Sequence, residues 1–200
     1  MSLDYIITSP LTVYIAPVGE AFPAIDAEPA GNWQRLGTDG DRAYTEEGLA
    51  ISHSKTYNKI RGAGASAPLK AALQEEDLMI QLTMMDLTLE GYSYALNGNT
   101  VRTTAAASGS AGYKEVGLSQ SVRNVNEFAL LARGPSTYGQ AMNMQYQVPR
   151  CFDTGSARPV FRKGEPAGLT LELTALEDLT QSDPELRFGR IVAQHQAPLP

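Results

Sequence analysis

Cysteine occurs once in these 200 residues, at Cys151, so no disulfide can close within the chain. Histidine occurs twice, at His53 and His195, with no CxxC or HxxxH spacing, so no metal site is expected. Cations are scarce: 16 Lys and Arg stand against 22 Asp and Glu, a net charge of −6. A surface that grips nucleic acid needs a basic excess. Such a balance still suits a protein that lets nucleic acid pass without holding it. No apolar run approaches the roughly 18 residues of a membrane-spanning helix. The start, MSLDYIITSP, has no basic run and a polar break at Thr8-Ser9, so no leader is expected. The expectation is a chain made and assembled in a cytoplasm, without membrane contact.

What is present is alternation. Leu78, Ile80, Leu82 and Met84 fall on one face of a strand, with Gln81 and Thr83 on the other. Each fully buried Leu or Ile is worth roughly 1.5–3 kcal/mol, and a slip of one residue would expose the whole set. At Asp86 the period changes. Leu89, Tyr92 and Leu96 form one stripe of a short helix, with Asp86 or Thr88 as N-cap and Glu90 in its first turn. Asn97-Gly98 supplies the stop, because glycine tolerates a left-handed conformation there.

Around this unit the chain reads as strands. Leu11–Ile15 alternates and is closed by Pro17, and a long loop with three prolines covers residues 16–32. Order restarts at Trp33 and Leu36, followed by a turn at Asp39-Gly40-Asp41. Residues 44–59 suggest two strands with little to bury, and residues 61–68 are rich in Gly and Ala. Two readings of this hairpin stand side by side: a solvated hairpin, or an edge awaiting another subunit. Residues 105–112 read as a flexible low-complexity loop. Strands follow at 126–133, at 142–148 with Pro149 ending it or marking an edge, at 169–174 and at 187–193, before the polar tail HQAPLP. About eight to ten strands and one short helix give a mainly β chain, a β-sandwich or open barrel with one flanking α-helix and long loops, as a single domain over residues 1–200.

The faces opposite the apolar ones are mostly neutral: Gln81 and Thr83; Asn143, Gln145 and Gln147; Thr170, Glu172 and Thr174. A cation-poor wet face would suit the wall of a channel for a polyanion, since every phosphate contact acts as a brake. Chance in a low-charge sequence explains it equally well.

Residue patterns with catalytic precedent are isolated. Ser52-x-x-Lys55 has the spacing of a serine nucleophile and its lysine but lies in a strand and lacks the partner motifs. Asp39-Gly40-Asp41 lacks the spacing of a calcium loop. Gly62-Ala63-Gly64 lacks the lysine of a phosphate loop. Cys151 has Arg150 beside it but no histidine nearby. No catalytic residue, cofactor or metal is expected, and the chain does not read as an enzyme.

The order of several features resembles the major tail tube proteins of long-tailed bacteriophages and related phage-like particles. These features are an early strand ending in IAPVG, Trp33-x-x-Leu36-Gly37, the Glu-rich, Gly/Ala-interrupted hairpin segment from Tyr44 to Pro68, the strand-into-helix unit at 77–97, and a late strand at Leu169, Leu171 and Leu173 before acidic residues and Phe188-Gly189-x-Ile191. The long loop at 16–32 and the Ala/Ser/Gly stretch at 105–112 depart from that pattern. The resemblance implies a subunit that assembles as hexameric rings stacked into a tube, in the tail of a virion. A hairpin over about residues 40–68 would reach a neighbouring subunit, with Tyr44, Glu46, Glu47, Tyr57, Lys59 and Arg61 as candidate contacts. DNA would pass through the lumen without sequence-specific binding. Terminator, tape-measure and baseplate or distal tail proteins would be further partners. The alternatives are a tail terminator or connector that stops at one ring, and a monomeric ligand-binding β-barrel.

Overall fold

The computed structural model describes Ile7 and residues 9–119, 124–139 and 141–196, so the tail lies outside the described residues from residue 197. The chain is mainly β, with ten strands and one α-helix among these residues. The strands are β1 (Thr12–Pro17), β2 (Gln34–Arg35), β3 (Tyr44–Ile60), β4 (Lys70–Met84), β5 (Val101–Thr104), β6 (Tyr113–Val116), β7 (Phe128–Pro135), β8 (Asn143–Asp153), β9 (Leu169–Ala175) and β10 (Arg190–Ala193). Helix α1 spans Leu89–Ala95.

Eight strands form one antiparallel sheet in the order β2-β1-β7-β8-β9-β4-β3, with β10 on β8. One face of that sheet carries the core: Val13 and Ile15, Phe128 and Leu130, Val148 and Cys151, Leu169, Leu171 and Leu173, and Ile80, Leu82 and Met84. The sheet rolls around it until its ends meet. At the seam the Tyr44 hydroxyl accepts from Val13 N–H at 3.1 Å and donates to Leu36 C=O at 3.0 Å. The backbone N–H of Thr38 donates to Asp86 at 2.5 Å across the same seam.

Helix α1 lies on the core at this seam. Thr88 is its N-cap, its hydroxyl accepting from Gly91 N–H at 3.0 Å. Tyr94 packs edge-on against Phe128, centroids 5.9 Å apart. The chain leaves through Asn97 at φ 59° and Gly98 at φ 74°. A Cβ on Gly98 would come within 2.5 Å of the Asn126 side chain, and Asn97 Oδ1 accepts from Asn126 N–H at 2.6 Å. The left-handed turn therefore docks the helix end onto the approach to β7.

Three expectations change. Residues 44–59 form one strand, not two, and its partner is β4, which begins at Lys70 rather than Asp77. The hairpin therefore turns at residues 61–69. Pro149 neither ends β8 nor marks an edge. It is buried inside the strand, at a register shift against β7, where the opposite side changes partner from β10 at Met144–Gln147 to β9 at Cys151–Asp153. Proline has no N–H to donate, so it fits the gap between two partners. The stretch at 105–112 forms the tip of a second small hairpin, β5–β6, with a bridge between Ala107 and Ser110.

Candidate assembly surface

The β3–β4 hairpin has two parts. Its base, residues 44–51 with 79–84, has β9 on the β4 edge, where Met79–Met84 pairs with Leu169–Thr174. Its outer part, residues 52–60 with 70–78, has only its own two strands. This outer part is an arm, and almost every residue of it is exposed. A ribbon of two strands is marginally stable in water.

The pairing carries the two faces of the base out along the arm. On the core side, Ile51 faces Ile80, His53 faces Leu78 and Lys55 faces Glu76. A register shift beyond Thr56 then sets Tyr57 opposite Leu73. Both are 51% exposed, and Leu69 at the turn is 72% exposed. The arm root is polar. Glu76 contacts His53 at 2.6 Å and Lys55 at 3.4 Å, and these contacts, His53 first, hold its carboxyl below the usual value of 4.5. The His53 ring lies 6.4 Å from that of Phe188.

The other face of the β3–β4–β9 region carries neutral polar ladders. Gln81 Nε2 donates to Glu172 Oε1 at 3.2 Å, the Thr83 and Thr170 hydroxyls lie 3.0 Å apart, and so do those of Thr154 and Thr174. Five of the residues read as wet thus share one surface: Gln81, Thr83, Thr170, Glu172 and Thr174.

The other three do not join it. Gln145 and Gln147 are 0% and 4% exposed, and Asn143 is half-buried. They sit on the second face of β7 and β8, which the chain's own 18–33 loop covers. Arg133 Nη1 donates to Ala27 C=O, Asn143 donates to Ile25 C=O at 3.1 Å, and Trp33 Nε1 donates to Ala21 C=O at 2.9 Å. Under this loop Trp33, Ala16, Ala129 and Leu131 form a second small core. Gln147 donates to Gln145 at 2.7 Å and accepts from Arg190 at 2.6 Å. Gln145 and Gln147 are therefore interior polar groups, and their placement on an open wall is corrected. The sequence pattern missed this because a buried glutamine paired to another glutamine reads the same as a wet one.

The hairpin candidates divide similarly. Tyr57, Lys59 and Arg61 stand on the outer arm and are exposed. Glu46 and Glu47 are exposed in the irregular start of β3, where the register shifts between Tyr44 and Leu49. Tyr44 is 3% exposed in the core, with its phenol pushed up to about 12, chiefly by burial. It is a seam residue, and its assignment to a contact between subunits is corrected. Lys70, Leu69 and Leu73, absent from the sequence-based set, belong to the arm. The signal for them was the pairing of residues 70–77 with β3, which apolar alternation does not report.

The isolated catalytic patterns are taken apart by the same geometry. Ser52 and Lys55 point to opposite faces of β3, as residues three apart in a strand must, and Lys55 is engaged by Glu76. Cys151 donates its thiol to Phe128 C=O at 3.3 Å, and burial pushes its pKa up, away from thiolate. Arg150 points elsewhere, to Glu127 at 2.6 Å. Asp41 accepts from the Thr12 hydroxyl at 3.2 Å. Among the described residues no group of three or more His, Cys, Asp or Glu side chains could hold a metal ion, and no helix is long and apolar enough to cross a membrane.

No protein family and no curated protein matches this chain in sequence. Among solved structures it is similar to a chain of the sheath–tube complex of an extracellular contractile injection system, PVC, in its extended state, at 12% identity and a TM-score of 0.40, over 95% of this chain and 91% of that one.

Proposed function

We propose that this protein is a structural subunit, without catalysis, that assembles with copies of itself into rings stacked as a tail tube for the passage of DNA. The observation that carries the proposal is the arm. It exposes an aromatic–aliphatic pair, Tyr57 and Leu73, and the outer edge of β3 carries no strand among the described residues. Unpaired edges and exposed apolar faces are what a second copy completes. Further support comes from the resemblance in the order of sequence features to tail tube proteins. In this reading the whole chain works as one domain in the tail of a virion, the rings are hexameric, and terminator, tape-measure and distal tail proteins meet the tube.

The lumen wall in this reading is the ladder of Gln81, Thr83, Thr170, Glu172 and Thr174, without Gln145 and Gln147. Its neutral and acidic groups would let a polyanion slide. Negative-stain microscopy at high protein concentration tests the proposal. Long tubes with a regular axial repeat are expected. Single rings that never stack would make the chain a terminator, and a monomer at every salt and concentration would end both readings. In assembled particles, Gln81→Lys with Thr170→Lys is expected to leave tubes intact and slow DNA exit. Unchanged exit would place that face away from the lumen.

A further inference from the structure

Charge is segregated along this chain. Residues 48–74 hold Lys55, Lys59, Arg61 and Lys70 and no Asp or Glu. Four of the 16 basic residues lie there, leaving 12 against all 22 acids, a balance of −10 for the rest of the chain. The complementary extreme is residues 164–186, which contain no Lys or Arg and six acids: Glu165, Glu172, Glu177, Asp178, Asp183 and Glu185. In the loop between β9 and β10, Glu177, Asp183 and Glu185 are exposed, and Leu179 beside them is 69% exposed.

Among the described residues no ion pair joins the basic tip of the arm to the acidic loop of the same copy. The acidic loop runs into Phe188, whose ring lies against His53 at the arm root. From His53 the arm continues for seven residues to Ile60, about 23 Å at ~3.3 Å per residue. The basic tip therefore stands well beyond Phe188, the residue into which its own acidic loop runs. Among the described residues Lys59 and Lys70 have no ion-pair partner, and Arg61 reaches only Ser66 C=O, at 3.0 Å.

We infer that the arm tip docks on the acidic loop, residues 176–186, of a second copy of this chain. Lys59, on the face of Tyr57 and Leu73, and Arg61 and Lys70 at the end of the ribbon reach its carboxylates, and Tyr57 and Leu73 lie against apolar side chains such as Leu179. Complementary charge brings the surfaces together and sets their register, while the apolar contacts supply area. The tip of one copy meets a different surface on the next, so the contact is head-to-tail and repeats without closing unless a rotation closes it into a ring. The arm's reach of about 23 Å beyond His53 makes each copy leave one tip and one loop free, which is what continued growth requires. Duplex DNA is the other polyanion such a tip could take. The exposed Tyr57 and Leu73, which share the face of Lys59, and an acidic loop in which only Glu177 is ion-paired among the described residues, to Arg187 at 3.3 Å, favour the second copy.

This inference rests on the self-assembly reading, and the test separates the two. Sedimentation velocity and negative-stain microscopy would follow the full chain in four forms: wild type, K59E/R61E/K70E, D183K/E185K and the two sets combined. All these positions are exposed, so the arm variant should keep the wild-type thermal midpoint; Asp183 also accepts from Glu185 N–H at 3.0 Å as a cap, so D183K/E185K should melt slightly earlier while remaining folded. Each reversal alone is expected to raise the concentration needed for assembly by about tenfold or more. The combined variant should recover to within about threefold of wild type, because opposite charges again face each other. Wild-type assembly should weaken with salt. Assembly by the arm variant as in wild type overturns the contact and leaves the tube reading standing. Failure of the folded combined variant to recover overturns the chosen acceptor. Loss of binding to a short DNA duplex by the arm variant, with assembly unchanged, makes DNA the partner instead. A wild type that never assembles overturns both this inference and the reading under it.

Discussion

The base and the arm of the β3–β4 hairpin are built from the same two strands, yet they differ in what holds them. In the base, Ile80, Leu82 and Met84 are buried in the core, and β9 completes their strand's second edge. In the arm, the same facing continues through His53 and Leu78 to Tyr57 and Leu73, both 51% exposed among the described residues. Backbone pairing therefore carries a strand much further than the core does. On the proposed reading, the apolar residues beyond the core mark the surface that a second copy covers.

Truncation should separate the two parts most strongly. Leu171→Ala, beneath the base, is expected to cost about 2–5 kcal/mol in chemical denaturation. Leu73→Ala on the arm should stay within about 0.5 kcal/mol in the monomer while weakening assembly. Similar losses at the two sites would break the distinction between base and arm.

The seam comes next. Tyr44→Phe removes the hydroxyl shared by Val13 N–H and Leu36 C=O, at an expected cost of about 1–3 kcal/mol. The same variant has a pH signature. Burial raises the phenol from 10.0 to about 12 in the folded state. Its contribution is therefore complete below pH 10 and is lost as the pH rises toward 12. Stability curves between those values should be flatter for Tyr44→Phe than for wild type.

Smaller is the helix that packs on the base. Thr88→Ala leaves Gly91 N–H without its cap and should cost about 1 kcal/mol by thermal melting. Smallest is the arm root. Glu76 is held below 4.5, first by its hydrogen bond to His53. A depressed carboxyl contributes stability above its unfolded value, lost as the pH falls through the folded one. A carboxyl titration by NMR should show a midpoint below 4.5 for Glu76, moving upward in His53→Ala, with little change in global stability because the pair is exposed. An unmoved midpoint would mean that the arm root is not organised by this contact.

Much of the base was legible. Alternation at 78–84 and 169–174, the shift of period at Asp86, the Thr88 cap and the Asn97-Gly98 stop are local signals, and each appears where burial or backbone geometry demands it. The arm was half legible. Tyr57, Lys59 and Arg61 were placed on a hairpin, but its second strand was not, because residues 70–77 bury nothing and so leave no periodic trace. Buried Gln145 and Gln147 escape the pattern for the opposite reason: Gln147 is engaged by Gln145 and by Arg190, while Gln145 Nε2 is buried without a partner among the described residues.

Sequence alone determined the class of the fold, the unit of strand and helix at 77–98, and the separation of a basic stretch at 48–74 from an acidic one at 164–186. These depend on neighbours in the chain, through side-chain period, caps and charge. Tertiary structure alone decided that the sheet rolls shut at Tyr44, that the 18–33 loop seals the Gln145 face, and that the basic tip stands well beyond Phe188. Those outcomes depend on pairing and packing between residues far apart in the chain, which no local pattern records.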